Sequence, residues 1–252
     1  MRQIWRACYG IYAWSLLVIT VVMTTTAILV VPGLARRRAI ARGSARNLFR
    51  LTGIGLQVSG DTLEHNEPVV VVSNHASYLD GIILTAALPA QFSFLVKREM
   101  RAFPVAGLLL RRLGTQFVER FDFRRGAADA RRIIRIAGEG QALAAFPEGT
   151  FRQEPGLGQF YSGAFSAAVR NHRAIVPVTL LGSRHILPAD KLLPRRGSIQ
   201  LVVHPAIPIN PATPDREEIT RVRELARTRI LSALDEPDLD FRLSAAPRAT
   251  AR

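Results

Sequence analysis

The stretch Asn74-His75-Ala76-Ser77-Tyr78-Leu79-Asp80 stands one residue, Ser73, after four consecutive valines, Val69-Val70-Val71-Val72. A short, wholly apolar run of this kind reads as a strand buried on both faces, and such strands belong to α/β sheets covered by helices. The segment after the valines is polar and turn-prone, and it carries an imidazole and a carboxylate. With four residues between His75 and Asp80, the carboxylate can fold back onto one ring nitrogen, fix the tautomer and leave the other nitrogen to take a proton from a nucleophile. The spacing alone does not separate that arrangement from a satisfied histidine beside a surface aspartate.

A second apolar run, residues 142–146, ends in Phe146-Pro147-Glu148-Gly149-Thr150, with Arg152 close behind. A strand end crowded with proline, glycine, an acid, a hydroxyl and a guanidinium is a site candidate. Together the two segments resemble the glycerolipid acyltransferase family, the enzymes that acylate glycerol phosphate and lysophosphatidate. The family's Asn-His-x4-Asp motif falls on Asn74, His75 and Asp80. Its proline-glycine helix followed by an arginine falls on Pro104, Gly107 and Arg120, and its Phe-Pro-Glu-Gly-Thr on 146–150. A proline between apolar residues falls on Pro177 in Ile175-Val176-Pro177-Val178. The resemblance runs over roughly residues 60–203 and departs in two places. Phe151 stands where the family commonly has arginine, with Arg152 one place later and Gln153 after it. Tyr161-Ser162 precede Gly163 where a basic residue is common. Both departures touch the phosphate-binding side and leave the His-Asp pair intact.

The resemblance implies a mixed central sheet flanked by helices and transfer of a fatty acyl group from acyl-CoA or acyl carrier protein. The acceptor it implies is the free hydroxyl of 1-acyl-sn-glycerol 3-phosphate, giving phosphatidate with no permanently bound cofactor and no metal. His75 would be the base and Asp80 its orienting acid. Arg120 would clamp the acceptor phosphate, with Arg152 a displaced second candidate. Glu148 would bind acceptor hydroxyls or hold Arg120 and the turn, while Gly149 and Thr150 would offer N–H donors. Asn74, Pro147 and Pro177 would shape the chain near the site. Ser73 and Ser77 lie in no Gly-x-Ser-x-Gly elbow, so they read as helix caps rather than nucleophiles. Three alternatives stay open: a different lysophospholipid or amino-acid-linked lysolipid as acceptor, a lipid hydrolase using the pair on water, and a non-catalytic basic lipid-binding protein.

No charged residue occurs over 7–35, and 11–31 is almost wholly apolar. About 20 helical residues cross a hydrocarbon layer of roughly 30 Å. Trp5, Tyr9, Tyr12 and Trp14 gather near the start of the span, and Arg36, Arg37, Arg38 and Arg42 come after its end, which favours a membrane segment over about 9–31 with the rest on the cytoplasmic side. A secretory signal, with Thr24 to Ala27 as its small residues, and a buried core helix are the rival readings; Pro32-Gly33 would also permit a re-entrant hairpin. Residues 36–50 read as a basic amphipathic helix at the interface, with Ile40, Leu48 and Phe49 as apolar contacts. The net charge of +14, from 34 basic against 20 acidic residues, suits an anionic phospholipid membrane. Zinc spacing, RNA-binding aromatics and a helix-turn-helix pattern are absent from the sequence, so nucleic acid is not an expected partner. Cys8 is the single cysteine, which excludes an intramolecular disulfide.

Seven short apolar runs, near 56–59, 69–72, 92–96, 115–119, 142–146, 175–180 and 199–203, alternate with helical patterns, as in one α/β domain. The best marked helix begins near Asp215, a candidate cap with Glu218 three residues on, and repeats apolar residues at Ile219, Val222, Ala226, Ile230 and Ala233. The expected organisation is an anchor over 1–50, an α/β domain over 51–236 and a disordered tail over 237–252.

Overall fold

The computed structural model describes residues 2–64, 67–118 and 123–240. Seven strands form one mixed sheet among the described residues: β1 (Gly55–Gly60), β2 (Val70–Ser73), β3 (Ser93–Lys97), β4 (Gln116–Val118), β5 (Leu143–Ala145), β6 (Ile175–Leu181) and β7 (Ser198–Val203). They lie in the order β1-β7-β6-β2-β5-β3-β4. The strands from β6 to β4 are parallel; β7 is antiparallel to β6, and β1 is parallel to β7. β2 sits in the middle with every residue buried, as an unbroken valine run requires. β1, at the edge, carries Gln57 and Ser59 and is mostly exposed.

Helices cover both faces. On one, Ala45 and Phe49 of α2 (Leu34–Thr52) and Ile83, Leu84 and Ala87 of α3 (Asp80–Ala87) pack with Val71, Val176 and Ile199. On the other, Ile133, Ile136 and Ala137 of α5 (Phe123–Gly138), Phe165 and Ala168 of α6 (Gly163–Arg170), and Val222, Ala226 and Ile230 of α8 (Asp215–Ser232) pack with Val70, Val72 and Leu143. The remaining α-helices among the described residues are α1 (Arg2–Val30), α4 (Pro104–Arg112) and the single turn α7 (Ser183–Ile186).

Because β7 and β1 run against the other strands, their starts share one edge with the ends of β2, β5 and β6. Ser198 opens β7 beside the end of β6, and Gly55 pairs with Ser198. The turn out of β6 hugs this edge so tightly that a Cβ on Gly182 (φ +86°) would fall 2.2 Å from the Ser198 carbonyl oxygen, which only glycine accommodates.

The N-terminal segment is an antiparallel helical hairpin, turning at Gly33 (φ +87°). Tyr9 Oη donates to the Thr52 carbonyl at 3.0 Å and Tyr12 Oη to that of Leu51 at 2.9 Å, tying the start of α1 to the end of α2. The expected interfacial role of α2 is corrected in one respect. Leu48 and Phe49 are buried against the protein, and several arginines of the helix reach backbone carbonyls. Arg46 Nε donates to Ala86 O (2.8 Å), Arg42 Nη2 to Ala87 O (3.3 Å), and Arg38 to Leu113 O (2.9 Å) and Gln91 O (2.8 Å). The last carbonyls of α3 and the carbonyl just beyond α4 lack helical partners, and cations are favoured at helix C-termini.

Two further expectations are corrected. Asp215 does not cap α8: Pro214 holds the N-cap position without a side-chain bond, and Asp215 lies in the first turn. Glu218 is fully buried, accepts the Asn210 N–H at 2.7 Å and pairs with Arg221 at 2.6 Å. The start of the expected tail is also part of the domain. Leu157 N–H donates to Pro237 O (2.9 Å), Leu239 N–H donates to Leu157 O (3.0 Å), and Leu239 is buried. Residues 241–252 lie outside the described residues.

Candidate active site

The site forms where β2 ends. Asn74, 3% exposed, staples that end to β6: its Nδ2 donates to Leu180 O at 3.0 Å, and Leu180 N–H donates to its Oδ1 at 2.7 Å. The next residue is His75, whose Nδ1 lies 2.8 Å from Asp80 Oδ2. The same oxygen accepts the backbone N–H groups of Ala76 (2.6 Å) and Ser77 (2.8 Å). Three donors thus converge on one oxygen of a fully buried residue, at the first residue of α3. In this arrangement Nδ1 carries the ring hydrogen and Nε2 keeps its lone pair.

Packing fixes the ring as well. Phe146 stacks on it with centroids 4.2 Å apart and planes 16° apart, and Phe151 meets it at 4.7 Å and 67°. Tyr78 meets Phe151 at 4.6 Å and 87°. Phe151 and Tyr78 therefore form an aromatic wall beside His75.

Glu148 comes just after β5. Its Oε1 accepts the His75 backbone N–H at 2.7 Å and its Oε2 accepts that of Gly158 at 2.8 Å. Burial pushes its carboxyl up to about 7; the two N–H bonds and the Arg184 charge oppose that shift, and the Asp80 charge adds to it. Of the roles expected for it, this geometry fits the brace that holds the turn. Gly149 (φ +80°) makes the tight turn, and its N–H donates to Phe146 O at 3.0 Å, so the expected free donor is already engaged. Thr150 is exposed. Arg152 is also exposed and takes part through its backbone: its carbonyl accepts from Arg184 Nη1 at 2.8 Å. Arg120 lies outside the described residues.

Pro147 is buried, and its carbonyl accepts the Tyr161 N–H at 2.9 Å. Pro177 pairs with Val72 inside the sheet, where its missing N–H is tolerated, and its carbonyl accepts from His204. Ser77 Oγ donates to Leu187 O at 2.8 Å and accepts the Leu79 N–H at 3.2 Å, a local turn ahead of α3; Leu79 holds the N-cap without a side-chain bond, so Ser77 is not the expected cap. Among the described residues no group of three His, Cys, Asp or Glu side chains is arranged to hold a metal.

Sequence reasoning missed Arg184 and Glu236. Arg184 Nε and Nη2 grip Glu236 at 2.7 and 3.1 Å, and Glu236 accepts the Gly156 N–H at 2.8 Å, which fixes the loop behind Phe151. The two residues are 52 apart in sequence, so no local pattern marks them.

Residues 55–181, half of the chain, match the Acyltransferase family model. The chain belongs to the acyltransferase family. It is 32% identical over 141 residues to a chloroplast 1-acyl-sn-glycerol-3-phosphate acyltransferase of Arabidopsis thaliana, covering 56% of this chain and 39% of that protein. It is 34% identical over 172 residues to the lyso-ornithine lipid O-acyltransferase of Pseudomonas aeruginosa, covering 67% and 63%. The chain thus spans less than two thirds of the length of these two relatives. A crystal structure of the 1-acyl-sn-glycerophosphate acyltransferase of Thermotoga maritima shares the fold, with a TM-score of 0.76 at 20% identity, covering 93% of this chain and 99% of that one.

Proposed function

We propose that this acyltransferase moves a fatty acyl group from a thioester of coenzyme A or acyl carrier protein to the free hydroxyl of a 1-acylglycerol 3-phosphate, giving phosphatidate. The observation that carries this reading is the His75 Nδ1 to Asp80 Oδ2 contact of 2.8 Å, which leaves Nε2 as the available base. Nε2 takes the acceptor's hydroxyl proton while that oxygen forms its bond to the thioester carbonyl carbon. As the tetrahedral adduct collapses the C–S bond breaks, and the imidazolium returns the proton to the departing sulfur. Asp80 stabilises the transient imidazolium. No acyl-protein step is needed, because Ser77 already spends its hydroxyl on Leu187 O.

Attachment to a membrane by α1 belongs to the same proposal, with the α/β domain on the cytoplasmic face. The apolar span of α1, Gln3–Val30, is long enough to cross a bilayer, and 22% of its most apolar 18-residue window is buried within the protein. Ile11, Val18, Ile19, Val22 and Met23 are exposed along it.

A labelled acyl thioester, supplied with and without lysophosphatidate to lipid-reconstituted protein, tests the reading. Label in phosphatidate that depends on acceptor supports transfer; label released only as free fatty acid, with or without acceptor, would mean a hydrolase. One observation favours a second acceptor. The wall of Phe151 and Tyr78 is uncharged where a guanidinium would draw a phosphate. An amino-acid-linked lysolipid, the acceptor type named for the Pseudomonas relative, fits that wall better, and a panel of acceptors with one donor discriminates the two.

A further inference from the structure

Between α7 and β7 the chain makes an excursion, Pro188-Ala189-Asp190-Lys191-Leu192-Leu193-Pro194-Arg195-Arg196-Gly197. Leu192 is 84% exposed and Leu193 40% exposed at its tip. A lone exposed leucine is ordinary. This one is held in place. The Trp14 indole N–H of α1 donates to the Leu192 carbonyl, and Leu193 seats against Gly10, where a Cβ would fall 2.7 Å from the Leu193 Cβ. Arg196 lies 5.3 Å over the Tyr9 ring. The excursion is therefore fastened along the first half of α1, on residues 9 to 14.

Its base is fastened to the active site. Ser77 of the His75 segment donates to Leu187 O at 2.8 Å, and Arg195 N–H donates to Ile186 O at 2.8 Å. An apolar tip flanked by Lys191, Arg195 and Arg196, and continuous with an apolar helix, has the composition of a segment that lies in a headgroup layer. We propose that residues 188–197 form a second lipid contact, inserting Leu192 and Leu193 into an anionic bilayer while Lys191, Arg195 and Arg196 meet headgroup phosphates. The contact holds the His75 edge of the sheet at the membrane surface, where a lysolipid resides. The proposal rests on the reading of α1 as membrane-embedded. Within the loop Lys191 pairs with Asp190 at 2.9 Å; an acidic protein would engage Arg195 and Arg196 and leave the leucines in water, so the bilayer is the better match.

The test uses the full chain with Cys8→Ser and one new cysteine, Leu192→Cys or Val22→Cys, carrying an environment-sensitive fluorophore. The protein is reconstituted into phosphatidylglycerol-containing vesicles with quenchers on the acyl chains. Quenching at both positions, with only the position-192 signal weakening as phosphatidylglycerol is replaced by phosphatidylcholine, is the expected result. Quenching at 22 without quenching at 192 overturns the loop contact and leaves the α1 reading standing. Quenching at neither overturns both. A second arm uses Leu192→Asp, which should lower transfer to a vesicle-embedded acceptor about tenfold. Transfer to a short-chain, water-soluble acceptor should stay unchanged. Equal loss on both acceptors, or a change at position 192 produced by acyl carrier protein in detergent without lipid, overturns the proposal.

Discussion

Glu148 accepts the backbone N–H of His75 at 2.7 Å, so the acid of one sequence motif grips the main chain that carries the histidine of the other. Its second oxygen is taken by Gly158. The carboxylate is thus a rigid link between two loops at the strand ends. His75 is held through its backbone, its Nδ1, a stacked Phe146 and an edge contact from Phe151, so its ring loses little orientation entropy when an acceptor arrives.

The pair itself gives the first expectation. His75→Ala should lower turnover by about 10²–10⁴, the usual worth of a general base, with the fold retained. Asp80→Asn should lose much of the same activity through a misplaced ring hydrogen. Steady-state turnover of the purified variants decides it, and near-parental rates in either would remove the assignment.

Glu148 should leave a signature in stability. Its native carboxyl, raised to about 7 from an ordinary 4.5, binds a proton that the unfolded chain has already released between those values. Stability from this group is therefore fully present below about 4.5 and lost as pH rises through about 7. Denaturant midpoints at about pH 5 and about pH 8 should differ less in Glu148→Gln than in the parent. Identical pH dependence in both would refute the perturbed carboxyl.

Phe151→Arg restores the residue common in the family at that position. Transfer efficiency to lysophosphatidate should rise about tenfold relative to phosphate-free acceptors, the lower value of a charge-assisted contact. Equal loss on every acceptor would instead mean that the Phe151 ring serves chiefly to hold His75.

Asn74→Ala would leave the Leu180 N–H and C=O unpaired in a buried sheet. We expect a loss of roughly 2–4 kcal/mol, read from urea unfolding. A change below about 0.5 kcal/mol, within the range of ordinary surface substitutions, would show that water replaces the side chain.

The sheet was legible because its central strands are buried on both faces and announce themselves as unbroken apolar runs. Asp80 was legible as the partner of His75 because the contact closes within one turn. Glu148 was marked as a site residue, yet its partners were not, since His75 is 73 positions away and Gly158 contributes only a backbone N–H. The arginines of α2 misled for a related reason. On a helix next to an apolar segment they suggest lipid phosphates, whereas the end of α3 supplies carbonyls that no sequence pattern displays. Glu218 looked like half of a capping box, but the loop at Asn210 claims it.

Those arginine-to-carbonyl bonds bear on how the enzyme can be handled. Deleting the first 50 residues to obtain a water-soluble catalytic domain would strip the donors from Ala86, Ala87 and Gln91 and remove Ala45 and Phe49 from the core. The shortened chain would exchange one greasy surface for another and aggregate. The hairpin is a structural wall of the α/β domain, so purification should keep it in place.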